Sequence, residues 1–127
     1  MLKEKKRFSL IARLRSTNHA WRGIVVLFKT THNIWVHAFC TFLVIYLGFS
    51  LNISNIEWVA VIFAIGLVFV SEAFNTAIEV DMDLTSPNYH PYAKDTKDIA
   101  AGAVLIAVLF AVIIGLIIFL PKVVSLF

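Results

Sequence analysis

Three long apolar stretches limit what this chain can fold into more than any other feature of its sequence. They cover residues 34–51, 58–84 and 98–120, and the first of them carries no charged side chain. A helix crosses a hydrocarbon core of about 30 Å with about 20 residues, and it satisfies its own backbone hydrogen bonds there. Since 60% of the 127 residues are apolar, the sequence predicts a single-domain, all-α integral membrane protein with three transmembrane helices.

The segment before the first span predicts a fourth helix of another kind. Over residues 8–29 the arginines occupy positions between the apolar ones. The apolar residues recur at helical spacing: Phe8, Ile11, Leu14, Trp21, Val25 and Phe28. An amphipathic helix of this type lies in the membrane surface, with its apolar side in the lipid boundary. The alternative is an ordinary soluble amphipathic helix, but no soluble core follows it.

The charges are segregated along the chain. Eight of the eleven Lys and Arg residues lie between Lys3 and Lys29, and six of the eight acidic residues lie between Glu72 and Asp98. Basic residues are enriched on the cytoplasmic side of membrane spans, so we expect the N-terminus and the acidic segment to face the cytoplasm. A basic arm before membrane spans suits anionic lipid, and no nucleic-acid partner is therefore expected.

Polar side chains lie on one side of the second span, where an unpaired charge is costly. At about 100° per residue, five of them fall within an arc of about 80°: Glu72, Asn75, Thr76, Glu79 and Asp83. A seam that joins this helix to its neighbours is one explanation, but so many aligned groups favour a functional site. Three spans cannot enclose so broad a polar face, so we expect subunits to cover it for one another.

The acidic segment also has the chemistry of a phosphate site. Carboxylates are ligands that Mg²⁺ prefers, and lysine neutralises phosphate oxygens. Lys97 and Asp98 follow the carboxylates at close range along the chain. No glycine is followed by lysine, which excludes a Gly-x-x-x-x-Gly-Lys-Ser/Thr phosphate loop. A phosphorylated soluble substrate and a membrane-dissolved one can thus meet at this end of the protein, with any nucleotide held in another way.

The second half of the chain resembles a known family. Its motifs are Glu-Ala-Phe-Asn-Thr-Ala-Ile-Glu at 72–79, Asp83, Tyr-His-Pro at 89–91, Lys-Asp at 97–98 and Ala-Ala-Gly-Ala-Val at 100–104. Together these motifs resemble the small prokaryotic diacylglycerol kinases, and the resemblance extends over essentially the whole chain. The motif at 89–91, followed by Lys94, resembles the Gram-positive branch that includes undecaprenol kinases.

The resemblance implies a homotrimer of three-span subunits in the bacterial cytoplasmic membrane, with active sites shared between subunits. It implies transfer of the γ-phosphate of ATP to the hydroxyl of a membrane lipid at the cytoplasmic surface. Mg²⁺ is the implied cofactor and ATP the implied co-substrate. Undecaprenol and diacylglycerol both stay open as the lipid, and the branch resemblance favours undecaprenol.

The resemblance also implies a role for each polar residue. Glu72 corresponds to the general base, Asn75 to its supporting polar partner and Glu79 to a metal ligand. Asp83 is a supporting polar group. The implied nucleotide contacts are Glu79, Asn88, Tyr89, His90, Lys97 and Asp98.

One position departs from the family pattern. The family carries a further metal-binding glutamate just before the first span, where this chain has Thr31, or Thr30 if the alignment is shifted by one. Residues 5–56 contain no acidic side chain. Magnesium is then expected to be held by Glu79, ATP and water. His32 is a second possibility, although imidazole is a softer ligand than Mg²⁺ favours.

Three functions stay open at this stage, of which the lipid kinase leads. A catalytically weakened relative that binds nucleotide or lipid follows from the missing glutamate. An ion carrier with Glu72 and Glu79 as relay carboxylates is disfavoured, because the acidic residues cluster at one membrane surface. His32 and His37 are interpreted as interfacial histidines without a ligand.

Overall fold

The structure is a computed structural model that describes residues 6–127. This part of the chain forms four α-helices and no strand: α1 (Leu10–Thr30), α2 (His32–Ser50), α3 (Asn55–Thr85) and α4 (Pro91–Val124). By length and composition, α2, α3 and α4 can each cross a membrane. The prediction of three apolar spans is therefore confirmed. Lys3 and Lys5 of the basic arm lie outside the described residues.

The start and the end of α3 follow from local chemistry. The Ser54 hydroxyl accepts a hydrogen bond from the Glu57 amide, and the Glu57 carboxylate accepts one from the Ser54 amide at 2.8 Å. This reciprocal capping box, which the Ser-x-x-Glu spacing predicts, satisfies amides that have no partner inside the helix. At the other end α3 stops at Thr85, because Pro87 disfavours helical geometry in the residue before it.

The third span differs from its prediction at both ends. The apolar stretch predicts a span that begins at residue 98, but α4 already begins at Pro91. Proline is favoured at the first position of a helix, and the imidazole of His90 caps this one by accepting from the Tyr92 amide at 3.2 Å. The helix also continues through Pro121 to Val124. Proline in the last turns removes a single hydrogen bond close to a helix end, where the helix can accommodate the loss.

Helices α3 and α4 pack as an antiparallel pair. Near the start of α3, Val61 packs with Ile118 and Phe119 of α4 in a buried cluster. An ion pair joins the helices at this end, with the Lys122 ammonium 3.4 Å from the Glu57 carboxylate. Small residues recur every four positions on α4, and most of them take part in the packing: Ala107 is buried and Ala111 and Gly115 are half-buried, whereas Ala103 is exposed.

Two contacts fix the hairpin between α2 and α3 and the junction between α1 and α2. A Cβ atom at Gly48 would lie 2.5 Å from the Trp58 ring, so only glycine allows the two helices to approach this closely. At the junction, the Trp35 indole donates to the Phe28 carbonyl at 2.8 Å and packs edge-on against the Phe28 ring. The position of α1 at a membrane surface stays a prediction, and its apolar residue Trp21 is exposed.

Candidate active site

Glu72 is a buried carboxylate on α3. It is 1% exposed, and its Oε2 atom lies 3.2 Å from Nε2 of His37 on α2. An ionised carboxylate can only accept hydrogen bonds, so a Glu72 that acts as a base requires the His37 tautomer with its proton on Nε2. The sequence analysis did not predict this contact between α2 and α3.

The next turn of α3 brings Asn75 and Glu79 together. The Asn75 amide nitrogen donates to Glu79 Oε1 at 3.3 Å. The Asn75 side-chain oxygen is buried, and the structure shows no partner for it among residues 6–127. Buried polar atoms nearly always have a hydrogen-bond partner. This oxygen therefore marks a place where a ligand or a neighbouring subunit can complete the site.

The polar face of α3 opens into a groove of about 350 Å³, which we call the carboxylate groove. Its walls are residues 30–33 at the α1–α2 junction and, from α3, Glu72, Asn75, Thr76, Glu79, Val80 and Asp83. All five polar residues that were placed on one helical face thus line one groove. Across it, the hydroxyls of Thr31 and Thr76 lie 2.9 Å apart and hydrogen-bond to each other.

A second groove of about 380 Å³ adjoins the first one, and we call it the interhelical groove. It lies between the end of α3 and the first turns of α4. The residues that line it include all of the nucleotide contacts implied after Glu79: Asn88, Tyr89, His90, Lys97 and Asp98. Asp83 lines both grooves. A ligand with several phosphates can therefore reach from the interhelical groove towards Glu79.

Lys97 is the cation closest to the shared boundary of the two grooves. Lys97 lies on the polar turns of α4 that precede the apolar part of the helix. Its ammonium donates to Asp83 Oδ1 at 2.8 Å. The hydrogen bond to Asp83 raises the pKa of Lys97 above its usual range, and the negative charges of Asp83 and Glu79 add to the effect. Lys97 is therefore protonated at neutral pH, as a phosphate contact requires.

Glu79 is the best-placed residue for a divalent cation. Among residues 6–127 no group of three or more His, Cys, Asp or Glu side chains is arranged to hold a metal ion. Magnesium usually needs only one or two protein carboxylates together with substrate phosphates and water. The half-buried Glu79 carboxylate beside a phosphate-sized groove fits that pattern, whereas Thr31 adds no carboxylate from the opposite wall.

Sequence reasoning missed His37, although a signal was present. A carboxylate buried at the level of the membrane needs a hydrogen-bonding partner from a neighbouring helix. The first span is mostly apolar, so its hydrogen-bond donors are few, and His37 is one of them beside Trp35 and Thr41. A search of that span for a partner of Glu72 would have kept His37 among a few candidates, without deciding between them.

Comparison with known proteins decides the family. The model of the prokaryotic diacylglycerol kinase family matches residues 18–119. The chain belongs to this family. Among the relatives of this diacylglycerol kinase family member is the undecaprenol kinase of Bacillus subtilis (strain 168), which is 44% identical over 108 residues and covers 85% of this chain and 88% of the relative.

Two further relatives carry the name diacylglycerol kinase. The protein from Synechocystis sp. is 40% identical over 114 residues, which are 89% of this chain and 65% of the relative. The protein from Escherichia coli (strain K12) is 27% identical over 100 residues, which are 79% of this chain and 82% of the relative. Together with the three apolar helices, family membership makes this chain a multi-pass membrane protein.

Proposed function

We propose that this lipid kinase transfers the γ-phosphate of ATP to the hydroxyl of a membrane lipid, with undecaprenol as the preferred acceptor. The single observation that carries the proposal is the contact between two grooves of different chemistry. One contains a buried carboxylate, Glu72, and the other contains cationic and aromatic side chains. The preference for undecaprenol rests on the 44% identity to an undecaprenol kinase.

The two substrates approach the site from different sides. Glu72 lies seven residues before Glu79 on α3, which corresponds to about 10 Å along the helix axis at 1.5 Å per residue. Glu72 is therefore deeper in the apolar part of the helix, where the hydroxyl of a membrane-dissolved lipid can reach it. Lys97 and Tyr89 lie at the polar end, where ATP can enter from the cytoplasm.

The side chains divide the reaction between them. Glu72 accepts the proton of the lipid hydroxyl, and Asn75 holds the neighbouring Glu79 carboxylate in place. Magnesium, when bound, neutralises phosphate charge, and Glu79 is the residue that would hold it. Lys97 contributes a further positive charge near the phosphates. Positioning and charge neutralisation provide most of the acceleration in phosphoryl transfer.

A homotrimer with shared active sites is part of the proposal. In a single chain the carboxylate groove has only residues 30–33 facing the polar side of α3. The unpartnered Asn75 oxygen and the exposed Asp83 side chain support a further protein surface at this place. In the membrane, α1 would then lie along the lipid boundary on the cytoplasmic side, with exposed apolar residues such as Leu14 in contact with lipid.

A panel of acceptor lipids tests the function. Purified protein is incubated with γ-³²P-ATP and undecaprenol, diacylglycerol or monoacylglycerol, with Mg²⁺ and with Mg²⁺ removed by a chelator. We expect Mg²⁺-dependent labelling, with the highest kcat/KM for undecaprenol. If kcat/KM is higher for diacylglycerol than for undecaprenol, diacylglycerol is the preferred acceptor. Labelling of no lipid, in a preparation that still binds ATP, would favour the catalytically weakened relative.

Thr31, which lies across the carboxylate groove from the polar face of α3, gives a second prediction. Thr31→Glu should lower the Mg²⁺ concentration for half-maximal activity on the order of tenfold, because added negative oxygen ligands strengthen binding of hard cations. Thr31→Gln is the matched control, because glutamine has nearly the same shape as glutamate but carries no charge. Thr30→Glu covers a one-residue shift in the alignment. If neither acidic variant changes the Mg²⁺ titration, the chain does not need a second metal carboxylate.

A further inference from the structure

We propose that His37 is a positioning residue for the proton acceptor, and that its Nε2–H group holds Glu72 in the orientation that the lipid hydroxyl meets. This inference rests on the proposed function, since it concerns the same site. It adds a residue from α2 to a set of roles that otherwise lies on α3, α4 and the segment between them. Three observations support it: the short distance between His37 and Glu72, the burial of Glu72, and the lack of other charged side chains in the described groove beside His37.

The burial of Glu72 makes a partner necessary. A carboxylate that is 1% exposed has lost almost all contact with water, and leaving it unpaired is costly. Among residues 6–127 the structure shows one side-chain hydrogen bond to Glu72, from His37 at 3.2 Å. The two residues are 35 positions apart in the chain. The contact therefore depends on how α2 and α3 pack and is not a local feature of one helix.

Apart from Glu72, the surroundings of His37 that the structure describes are mainly apolar. Away from Glu72, the imidazole borders an apolar groove of about 260 Å³ between α2, α3 and α4. No Asp, Glu, Lys or Arg of the described chain lines that groove. No charged acceptor in that groove therefore competes with Glu72 for a proton on Nε2. Because one carboxylate oxygen is occupied by His37, the other one is left to accept the proton of a substrate.

A purely structural contact between α2 and α3 would also place these side chains together. The two roles differ in what their loss affects. Loss of helix packing lowers stability and impairs substrate binding and turnover together. Loss of a positioning hydrogen bond slows the chemical step while the substrates still bind. The reaction rate at saturating substrate therefore separates the two.

The test uses three substitutions of His37 that differ in whether the new side chain has a hydrogen-bond donor and whether that donor can reach Glu72. In His37→Leu the donor is removed. In His37→Gln the amide nitrogen is as many bonds from Cα as Nε2, so it can donate to Glu72, whereas in His37→Asn the nitrogen is one bond closer to Cα and falls short. His19→Gln, an exposed histidine on α1, is the control for the same chemical change elsewhere.

We expect kcat of His37→Leu and His37→Asn to fall about 10–100-fold, the usual loss when a residue that orients an active-site ligand is removed. The KM values for lipid and ATP should change less than about twofold, and His37→Gln should recover most of the wild-type kcat. The measurements are kcat and KM in lipid micelles, with oligomer size and thermal unfolding of each variant recorded alongside.

The outcomes separate this inference from the proposed function. If the wild-type protein is active and the kcat of His37→Leu is unchanged, the positioning role alone is overturned. An equal loss of kcat in His37→Gln and His37→Asn would overturn it as well. A wild-type protein that phosphorylates no lipid overturns both. If His37→Leu does not assemble, the Gln and Asn pair decides. In addition, ¹⁵N NMR of the His37 ring must show an Nε2 resonance that moves in Glu72→Gln, and an unmoved resonance would refute the contact.

Discussion

Replacement of Glu72 by Gln is expected to reduce phosphoryl transfer about 10²- to 10⁴-fold, the contribution of a general base. The amide keeps the shape of the side chain, and its oxygen can still accept the hydrogen bond from His37. The variant should therefore assemble normally and bind both substrates. Only the group that takes the proton of the lipid hydroxyl is lost. The measurement is the rate of ³²P transfer to undecaprenol at saturating lipid and ATP.

A matched control lies at the opposite end of the same helix. Glu57→Gln makes the same chemical change in the capping box of α3, where glutamine can also accept from the Ser54 amide. Its activity should be close to that of the wild type. Near-normal turnover in Glu72→Gln would remove Glu72 from the role of proton acceptor, and the search for another acceptor would then move to the rest of the carboxylate groove.

Replacement of Glu79 by Ala should raise the Mg²⁺ requirement and slow the reaction. Removing the one well-placed carboxylate should weaken binding of Mg²⁺ at least about 100-fold, the upper range of losses measured for residues that only support a metal ligand. The loss also leaves the Asn75 amide without its acceptor. Glu79→Gln keeps an acceptor for Asn75 and separates that effect from the loss of charge. The readout is activity against Mg²⁺ at fixed ATP.

The control for the metal prediction is Asp81→Asn, which removes an exposed carboxylate two residues further along α3. Asp81 does not line the carboxylate groove, so its loss should leave the Mg²⁺ titration unchanged. If Glu79→Ala and wild type have the same Mg²⁺ dependence, the metal ion is bound elsewhere, and the proposed role of Glu79 has to be abandoned.

The helices and the polar face of α3 could be predicted because each depends on residues that are close in the chain. Apolar length predicts a span, Ser54 and Glu57 predict a helix start, and the helical repeat places Glu72 and Glu79 on the same side. None of these inferences requires knowledge of a neighbouring helix. The α3 boundaries accordingly agree with the structure to within a few residues.

The pairing of His37 with Glu72 could not be predicted in the same way. The helical repeat shows which way a side chain points along its own helix, but not which helix lies opposite or at what height. Those depend on packing details such as the close approach of Gly48 and Trp58. The early start of α4 is a different case, because Pro91 is a readable start signal. The apolar stretch that predicts the span starts only at residue 98, so it leaves out the polar first turns of this helix.

The length of α4 connects the enzyme to the thickness of its membrane. Its 34 residues span about 51 Å at 1.5 Å per residue, whereas the hydrocarbon core of a bilayer is about 30 Å thick. Because α4 is continuous from Pro91, Lys97 lies on a single rod that is longer than the core is thick, and in the proposed orientation this rod begins on the cytoplasmic side. A thicker or thinner bilayer has to be met by a change in the tilt or height of that rod. In the proposed site, the height of Lys97 above the lipid surface would then depend on bilayer thickness, so activity is expected to vary with membrane composition.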